Sequence, residues 1–576
     1  MRQRGGSTFR RALGAVLAGG FLLLPVAASA VDAPVVTKPF HVTKNDLSPA
    51  RLYSSPYLAA DPNDSKTIVG VAAELRSRRC GLIYSTDGGA TWSQAREMPA
   101  PNDYANCVWS NWAAQSAMGR SGNAYVAITG WDDRDGGPRQ GNMSPIVSRT
   151  DNLGDSWESA ILVPVRGKEG EAVEQYRPSS IAVDAKSGSA DIVYAAFTRT
   201  QPNKTAPNQE PSRPMVMAST DGGRTFGTPV DLSKGVWTDA VRQVAFASAT
   251  TTTANPNAST TSTTVPAAGS RAATPNQEAN FGGSNTRLTV AGDGTVYAVW
   301  RSAQSNVPSS QPVAPSTFVS FSKDRGQTWT TNRVTDYTVG GASRVAWTKA
   351  GGPSGSLVLI FGRNPTTTTS GNGDIMVQRS TDDGKSWTEP KNITDDAPAD
   401  MRAQFNPSLS AASNGRLDAA WFDTRDDPGI RSNSVYYSYS EDGGETWSKN
   451  TSISDRPINR TYGVWAVNFD VTSPIGIAST DELAVFGWDD TRNSEGGADA
   501  VNSEFGAGVQ DVFAAVAQFE AIGGGGWPVA AKVIVAAVAG LAVVALALLL
   551  AATMAKRGGP PERRVDTEPR TPAGVG

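Results

Sequence analysis

The chain has 576 residues, with 52 Lys and Arg against 55 Asp and Glu and a formal net charge of −3. That balance creates no field suited to nucleic acid or to an anionic surface, so no nucleic-acid partner is expected. With a single histidine, His41, and two cysteines, Cys80 and Cys107, the composition excludes histidine-rich metal clusters, Cys/His zinc sites, a Ser-His-Asp triad and a disulfide framework.

In chain order, Arg2, Arg4, Arg10 and Arg11 lead into an apolar stretch, 12–26, and Ala28-Ser29-Ala30 offers a small-residue cleavage site. Residues 1–30 therefore read as a secretory signal. In an exported chain Cys80 and Cys107 are expected to pair. Residues 31–522 form the expected extracellular domain, interrupted at 249–275 by a Thr-, Ala-, Ser- and Pro-rich insertion with no means of packing a core. A Gly-rich hinge, 523–528, precedes an apolar run, 529–554, long enough to span a bilayer as one helix. Lys556, Arg557, Arg563 and Arg564 then place the tail, 555–576, in the cytoplasm. The expected location is the cell membrane, single-pass, with the N-terminal domain outside and the protein monomeric.

Between these ends one turn motif recurs. Its first copy is Ser85-Thr86-Asp87-Gly88-Gly89-Ala90-Thr91-Trp92, and 219–226, 322–329, 380–387 and 440–447 repeat it. A sixth copy, 148–157, is read with one extra residue between Asp151 and Gly154. A motif recurring at such intervals marks an array of supersecondary units. Its residues describe a hairpin turn. The Asp accepts hydrogen bonds from backbone N–H groups one or two residues on, and Gly supplies a positive φ. The Thr or Ser hydroxyl adds a local bond, and the aromatic residue anchors the return strand.

Before each box lies a strand that ends near an arginine. These strands are 69–76, 125–134, 193–199, 296–301, 358–363 and 417–425. A seventh, 483–492, is followed by a strand at 512–519 with no box. The strand count is seven and the box count six. Segment 38–45 resembles the outer strands that follow other boxes, and is predicted to pair with the last unit and close a ring.

The six boxes resemble the Asp-box repeats of bacterial sialidases and related β-propeller glycosidases. The resemblance implies an all-β fold, a β-propeller of four-stranded antiparallel blades. Strand count favours seven blades, and family analogy gives six. The box residues Asp87, Asp151, Asp221, Asp324, Asp382 and Asp442 are expected to be structural. The implied activity is that of an exo-α-sialidase-type glycoside hydrolase acting on a glycan or glycoconjugate, with no cofactor. The alternative is a non-catalytic propeller that binds a glycan or a cell-envelope protein.

In that family three arginines hold the sugar's carboxylate, a Tyr assisted by a Glu attacks the anomeric carbon, and an Asp serves as acid/base. A ring of guanidiniums at the second-strand ends suits such a carboxylate; all seven repeats place one there, Arg76, Arg134, Arg199, Arg301, Arg363, Arg425 and Arg492, the last six being the candidate substrate-binding residues. A second reading has these arginines clamping their own Asp-rich loops. The candidate nucleophile is Tyr462, with Tyr176 as the alternative, beside Glu174; Asp133 is the candidate acid/base. No catalytic metal is expected, and Asp132-Asp133-Arg134-Asp135 offers oxygen ligands for a structural calcium. The family's Arg-Ile-Pro signature is absent, and its nearest relic is Arg177-Pro178.

Overall fold

Strands rich in Val, Ile and aromatic residues pair antiparallel into seven sheets of four or five strands. The computed structural model describes residues 33–46, 51–75, 79–99, 101, 104–106, 115–132, 143–165, 174–184, 190–200, 212–234, 281–304, 317–335, 343–363, 373–396, 402–427, 429, 431–464, 474–494 and 506–519. From its inner to its outer strand, the first blade runs Tyr53–Ala60, Ile68–Glu74, Arg79–Ser85 and Arg96–Glu97. The third runs Gln175–Asp184, Ile192–Thr200, Arg213–Ser219 and Val230–Asp231. The second, fourth, fifth and sixth blades repeat the same order.

The seventh blade is built from both ends of the domain. Gly476–Ser479, Leu483–Asp490 and Asp511–Gln518 supply its inner strands, and Val35–Val36 and Phe40–His41 pair along its outer edge. The seven-blade prediction and the closing strand both stand, although pairing begins earlier than expected, with Val35 opposite Gln518. A polar knot holds this closure. The Asp511 carboxylate, fully buried, accepts from the Thr43 hydroxyl at 2.8 Å, Arg51 Nε at 2.5 Å and Asn493 Nδ2 at 2.6 Å. His41 Nε2 lies 3.2 Å away, its ring stacked on Phe513. These donors hold the Asp511 carboxyl far below the usual carboxylate range even though burial opposes ionisation.

The core is a ring of seams between blades, each filled by buried apolar side chains. Val71, Leu82 and Val126 join blades one and two, and Tyr125, Ile181 and Val193 join two and three. Tyr194, Trp300 and Phe318 follow, then Val299, Leu359 and Phe361, then Val358, Ile360 and Trp421. Phe422, Phe486 and Trp488 fill the sixth seam, and Ile83, Val485 and Val512 the last, between blades seven and one. At that last seam the backbones nearly touch. A Cβ on Gly476 would lie 1.8 Å from the Pro56 carbonyl oxygen, so only glycine fits there.

Each box is the turn between third and fourth strands. In the first, the Ser85 hydroxyl donates to Asp87 Oδ1 at 2.8 Å and accepts the Gly89 N–H at 2.8 Å. The Thr91 N–H donates to Asp87 Oδ1 at 2.9 Å, and the Thr91 hydroxyl to Oδ2 at 2.6 Å. The carboxylate thus caps an amide four residues on, further than the expected one or two. The box aromatics, expected to anchor the return strand, pack on the seams: Trp92, Trp157, Phe226, Trp329, Trp387 and Trp447 lie against six different seam clusters.

The sixth box needs correction. Asn152, not Asp151, takes the acceptor position: its Oδ1 accepts the Ser156 N–H at 2.9 Å, and the Thr150 hydroxyl donates to it at 2.9 Å. The copy is therefore Thr150-x-Asn152-x-Gly154-x-Ser156-Trp157, with no extra residue, and Asp151 is exposed. An Asn carbonyl oxygen accepts the same bonds as an Asp oxygen, so the turn tolerates the exchange.

Among the described residues no helix is long and apolar enough to cross a membrane. The expected signal 1–30, insertion 249–275, hinge 523–528, span 529–554 and tail 555–576 all lie outside the described residues.

Candidate active site on the face opposite the boxes

Strand register separates the two faces of the ring. In blade three Val193 pairs with Ser219, beside the box, and Arg199 pairs with Arg213 at the other end. Tyr176 lies opposite Arg199 on the inner strand. Two of the predicted residues meet a third at this end. The Tyr176 hydroxyl donates to Glu174 Oε2 at 2.6 Å, while Arg199 Nη2 donates to Glu174 Oε1. Glu174 and Tyr176 are two residues apart along an extended segment, so both side chains point the same way. The Arg199 hydrogen bond lowers the Glu174 pKa against the opposing effect of burial, and the Tyr176 bond lowers it further. Burial and then Glu174 push the Tyr176 phenol up to about 12.

Other predicted arginines fare differently. Arg301 sits at the corresponding end of blade four, opposite Thr317. It is half-buried, burial depresses its pKa, and it forms no ion pair among the described residues. Arg425 and Arg492 instead carry out the clamping role. Arg425 bonds the buried Asp423 and reaches Asp395 at 2.7 Å, with its guanidinium 4.2 Å from the Tyr436 ring centroid. Arg492 repeats the arrangement with Asp490 and Asp455, each at 2.7 Å, over the Phe513 ring. Trp421 and Trp488 donate to the same buried carboxylates at 3.1 Å. The expectation that Arg425 and Arg492 bind substrate is therefore replaced: their guanidiniums are committed to their own loops. Of Arg363 only the backbone is described, at the end of the second strand of blade five. Arg134 and Asp133 lie outside the described residues, as does most of the proposed calcium loop.

Tyr462 is half-buried on the link between blades six and seven. It packs near Gly508, where a Cβ would approach its ring at 3.3 Å, and the adjoining Gly463–Val464 pairs with Gly506–Ala507. No carboxylate hydrogen bond to its hydroxyl occurs among the described residues, so Tyr176 is the better-placed tyrosine. Cys80 is disulfide-bonded, and the only other cysteine, Cys107, lies outside the described residues. Among the described residues no group of three His, Cys, Asp or Glu side chains is placed to hold a metal ion.

A second group escaped the sequence reading. Arg287 and Arg344, on the inner strands of blades four and five, are 3% and 9% exposed. Arg344 Nη2 donates to the Tyr57 hydroxyl on the inner strand of blade one at 3.4 Å, spanning the ring. Burial, and then the positive charge of Arg344, depress the Arg287 pKa to about 9. The inner strands of blades one, three, four and six also shift register, at Ser54/Tyr57, Pro178/Ser180, Ser284/Arg287 and Phe405/Ser408. Three of the four irregularities fall in the half of the strand remote from the boxes, and the one in blade four lies at the middle of its strand. Bulges of this kind re-aim side chains beside binding sites. Pro56, Pro178 and Pro407 were the available signal, because proline inside a paired strand marks a bulge.

Residues 285–480 match the BNR repeat-containing family, and residues 83–94 match the BNR/Asp-box repeat. The chain is a seven-bladed β-propeller that carries BNR/Asp-box repeats. No curated protein matches this propeller. Among solved structures it is similar to a protein of unknown function from Dyadobacter fermentans, at 11% identity and TM-score 0.43, covering 85% of this chain and 100% of that one. A Penicillium chrysogenum alpha-L-arabinanase is similar at 12% identity and TM-score 0.39, over 67% and 94%. A Trypanosoma rangeli sialidase is similar at 12% identity and TM-score 0.40, over 73% and 55%. Likeness at this level assigns no activity to the propeller, so its chemistry rests on its own residues.

Proposed function

We propose that this propeller is a sialidase-type glycoside hydrolase acting on acidic glycans. The observation that carries the reading is the Tyr176–Glu174 hydrogen bond of 2.6 Å. Burial holds the phenol neutral at rest, so nucleophilic attack requires loss of its proton. Glu174, kept ionised by Arg199, is positioned to take that proton as Tyr176 Oη attacks the anomeric carbon. A neutral nucleophile suits an anionic sugar, because a carboxylate attacker would be repelled by the substrate. Arg287, Arg344 and Arg301 supply positive charge on the inner and second strands for the sugar's carboxylate. Asp133 is the candidate acid/base, and no cofactor enters the scheme. The apolar run 529–554 supports attachment of the enzyme to the cell surface through one helix.

The second reading is a non-catalytic glycan-binding propeller. It is favoured by the commitment of Arg425 and Arg492 to loop clamps. Hydrolysis of a fluorogenic sialoside by the wild-type chain and by Tyr176→Phe separates the two readings.

A further inference from the structure

We propose a second ligand site, for one neutral sugar unit, at the seam where the ring closes. A cavity of about 310 Å³ lies there, lined by Val42, Thr43, Asn45, Asp46, Tyr53, Gln94 and Ala95. Its walls come from two separate parts of the chain. Val42 to Asp46 belong to the link that follows the closing strand, and Tyr53, Gln94 and Ala95 belong to blade one. The volume is at the lower end for small-molecule sites, which suits one sugar ring rather than an oligosaccharide.

The lining selects the ligand class. Asn45 and Gln94 are exposed amides, each able to donate and accept, and neither bonds another described residue. The Tyr53 hydroxyl donates to Asp46 Oδ2 at 2.8 Å, fixing that carboxylate at the wall. Asp46 is the only charged lining residue, so the cavity repels an anion and offers it no counter-charge. A cation gains little either, because the Asp46 charge already acts on Arg51 beside it. Lys44 is turned away, with its ammonium 4.5 Å from the Phe40 ring centroid. Paired amides, a hydroxyl and a fixed carboxylate above the apolar Val42 and Ala95 match the alternating hydroxyl and C–H surface of a neutral sugar. The Tyr176 site takes a charged sugar, and this one its uncharged counterpart.

Occupancy has a structural consequence. The ligand would touch the link after the closing strand and blade one together, so binding stabilises closure of the ring. The test is thermal unfolding of the full-length chain titrated with galactose, N-acetylglucosamine or arabinose. The expected result is a saturable rise in Tm with at least one sugar, in the wild type and in Tyr176→Phe alike. In Asn45→Ala/Gln94→Ala, two exposed positions whose loss leaves the fold intact, the apparent affinity falls at least tenfold. Three outcomes overturn the proposal: a linear, non-saturating rise shared by all sugars, which is solvent exclusion; a saturable rise unchanged in the double variant; and a rise lost in Tyr176→Phe but kept in the double variant, which assigns the sugar to the other site.

Discussion

Tyr176 and Glu174 share one hydrogen bond of 2.6 Å, two residues apart where a single inner strand begins. Arg199, on the neighbouring strand, occupies the other carboxylate oxygen. In the proposed mechanism the nucleophile, the proton acceptor and the charge that fixes the acceptor therefore come from one blade. Glu174→Gln keeps the shape and removes the proton acceptor. Turnover of an acidic glycoside is expected to fall by about 10²-fold or more. Stability is expected to change by less than about 1 kcal/mol, since the ion pair with Arg199 is part-exposed. Steady-state kinetics and urea unfolding check the two halves of this statement.

The arginines divide into two roles, and the division is measurable. Arg425→Ala leaves the buried Asp423 carboxylate without its counter-ion, and about 3–5 kcal/mol of stability should be lost. Arg301→Ala breaks no ion pair among the described residues and should leave the urea midpoint near wild type while weakening substrate binding. Urea midpoints read side by side would reverse this assignment if Arg301→Ala proved the more damaging.

The corrected box makes a paired prediction. Asn152→Ala deletes the acceptor of the Ser156 amide and should cost about 1 kcal/mol. Asp151→Ala, at an exposed position, should stay within about 0.5 kcal/mol of wild type. Equal losses at both positions, by thermal denaturation, would restore the original alignment of the motif.

Three boxes place a side chain where the others place glycine: Leu153, Arg325 and Asp383 have φ of 53°, 61° and 61°. Such residues pay about 1 kcal/mol for the left-handed conformation. Asp383 is retained through bonds to Tyr297 at 2.6 Å and Lys323 at 2.9 Å across a seam. Arg325 has no comparable anchor among the described residues, so Arg325→Gly should raise Tm slightly, a shift resolvable by calorimetry. Asp383→Gly should lower it.

The box carboxylates also make the stability of the fold depend on acid pH. Hydrogen bonds from Thr328 and Ser322 bring the Asp324 pKa down to about 2, and those from Thr225 and Ser219 do the same for Asp221 against the opposing effect of burial. The ordinary value is 3.8. These groups are ionised in the folded chain where the unfolded chain has already taken up protons. Their contribution is complete above about pH 4 and is lost as the pH falls towards 2. Asp324→Asn should flatten the dependence of stability on pH in that window, and an unchanged slope would remove the box from the explanation.

Much of this architecture was legible in the sequence, because the box is a local device. Ser85, Asp87, Gly89, Thr91 and Trp92 satisfy one another within eight positions, so their spacing fixes the turn without outside help. Counting the seven strands that each end near an arginine, from 69–76 to 483–492, gave seven blades. The match of 420–425 with 487–492 marked a repeated clamp whose purpose sequence alone left open. The axial group was invisible for the opposite reason. Arg287, Arg344 and Tyr57 come from three blades and meet only when the ring closes. Asn152 was not legible because the other five copies carry an acid at that position, whereas the turn requires only an oxygen acceptor.

The most direct measurement is release of fluorophore from a sialoside by the full-length wild-type chain, with Tyr176→Phe and Tyr462→Phe beside it. The account predicts turnover by the wild type, a loss of about 10²-fold or more in Tyr176→Phe, and near-normal turnover in Tyr462→Phe. Wild-type turnover that survives in Tyr176→Phe, or none on any acidic glycoside, would contradict it.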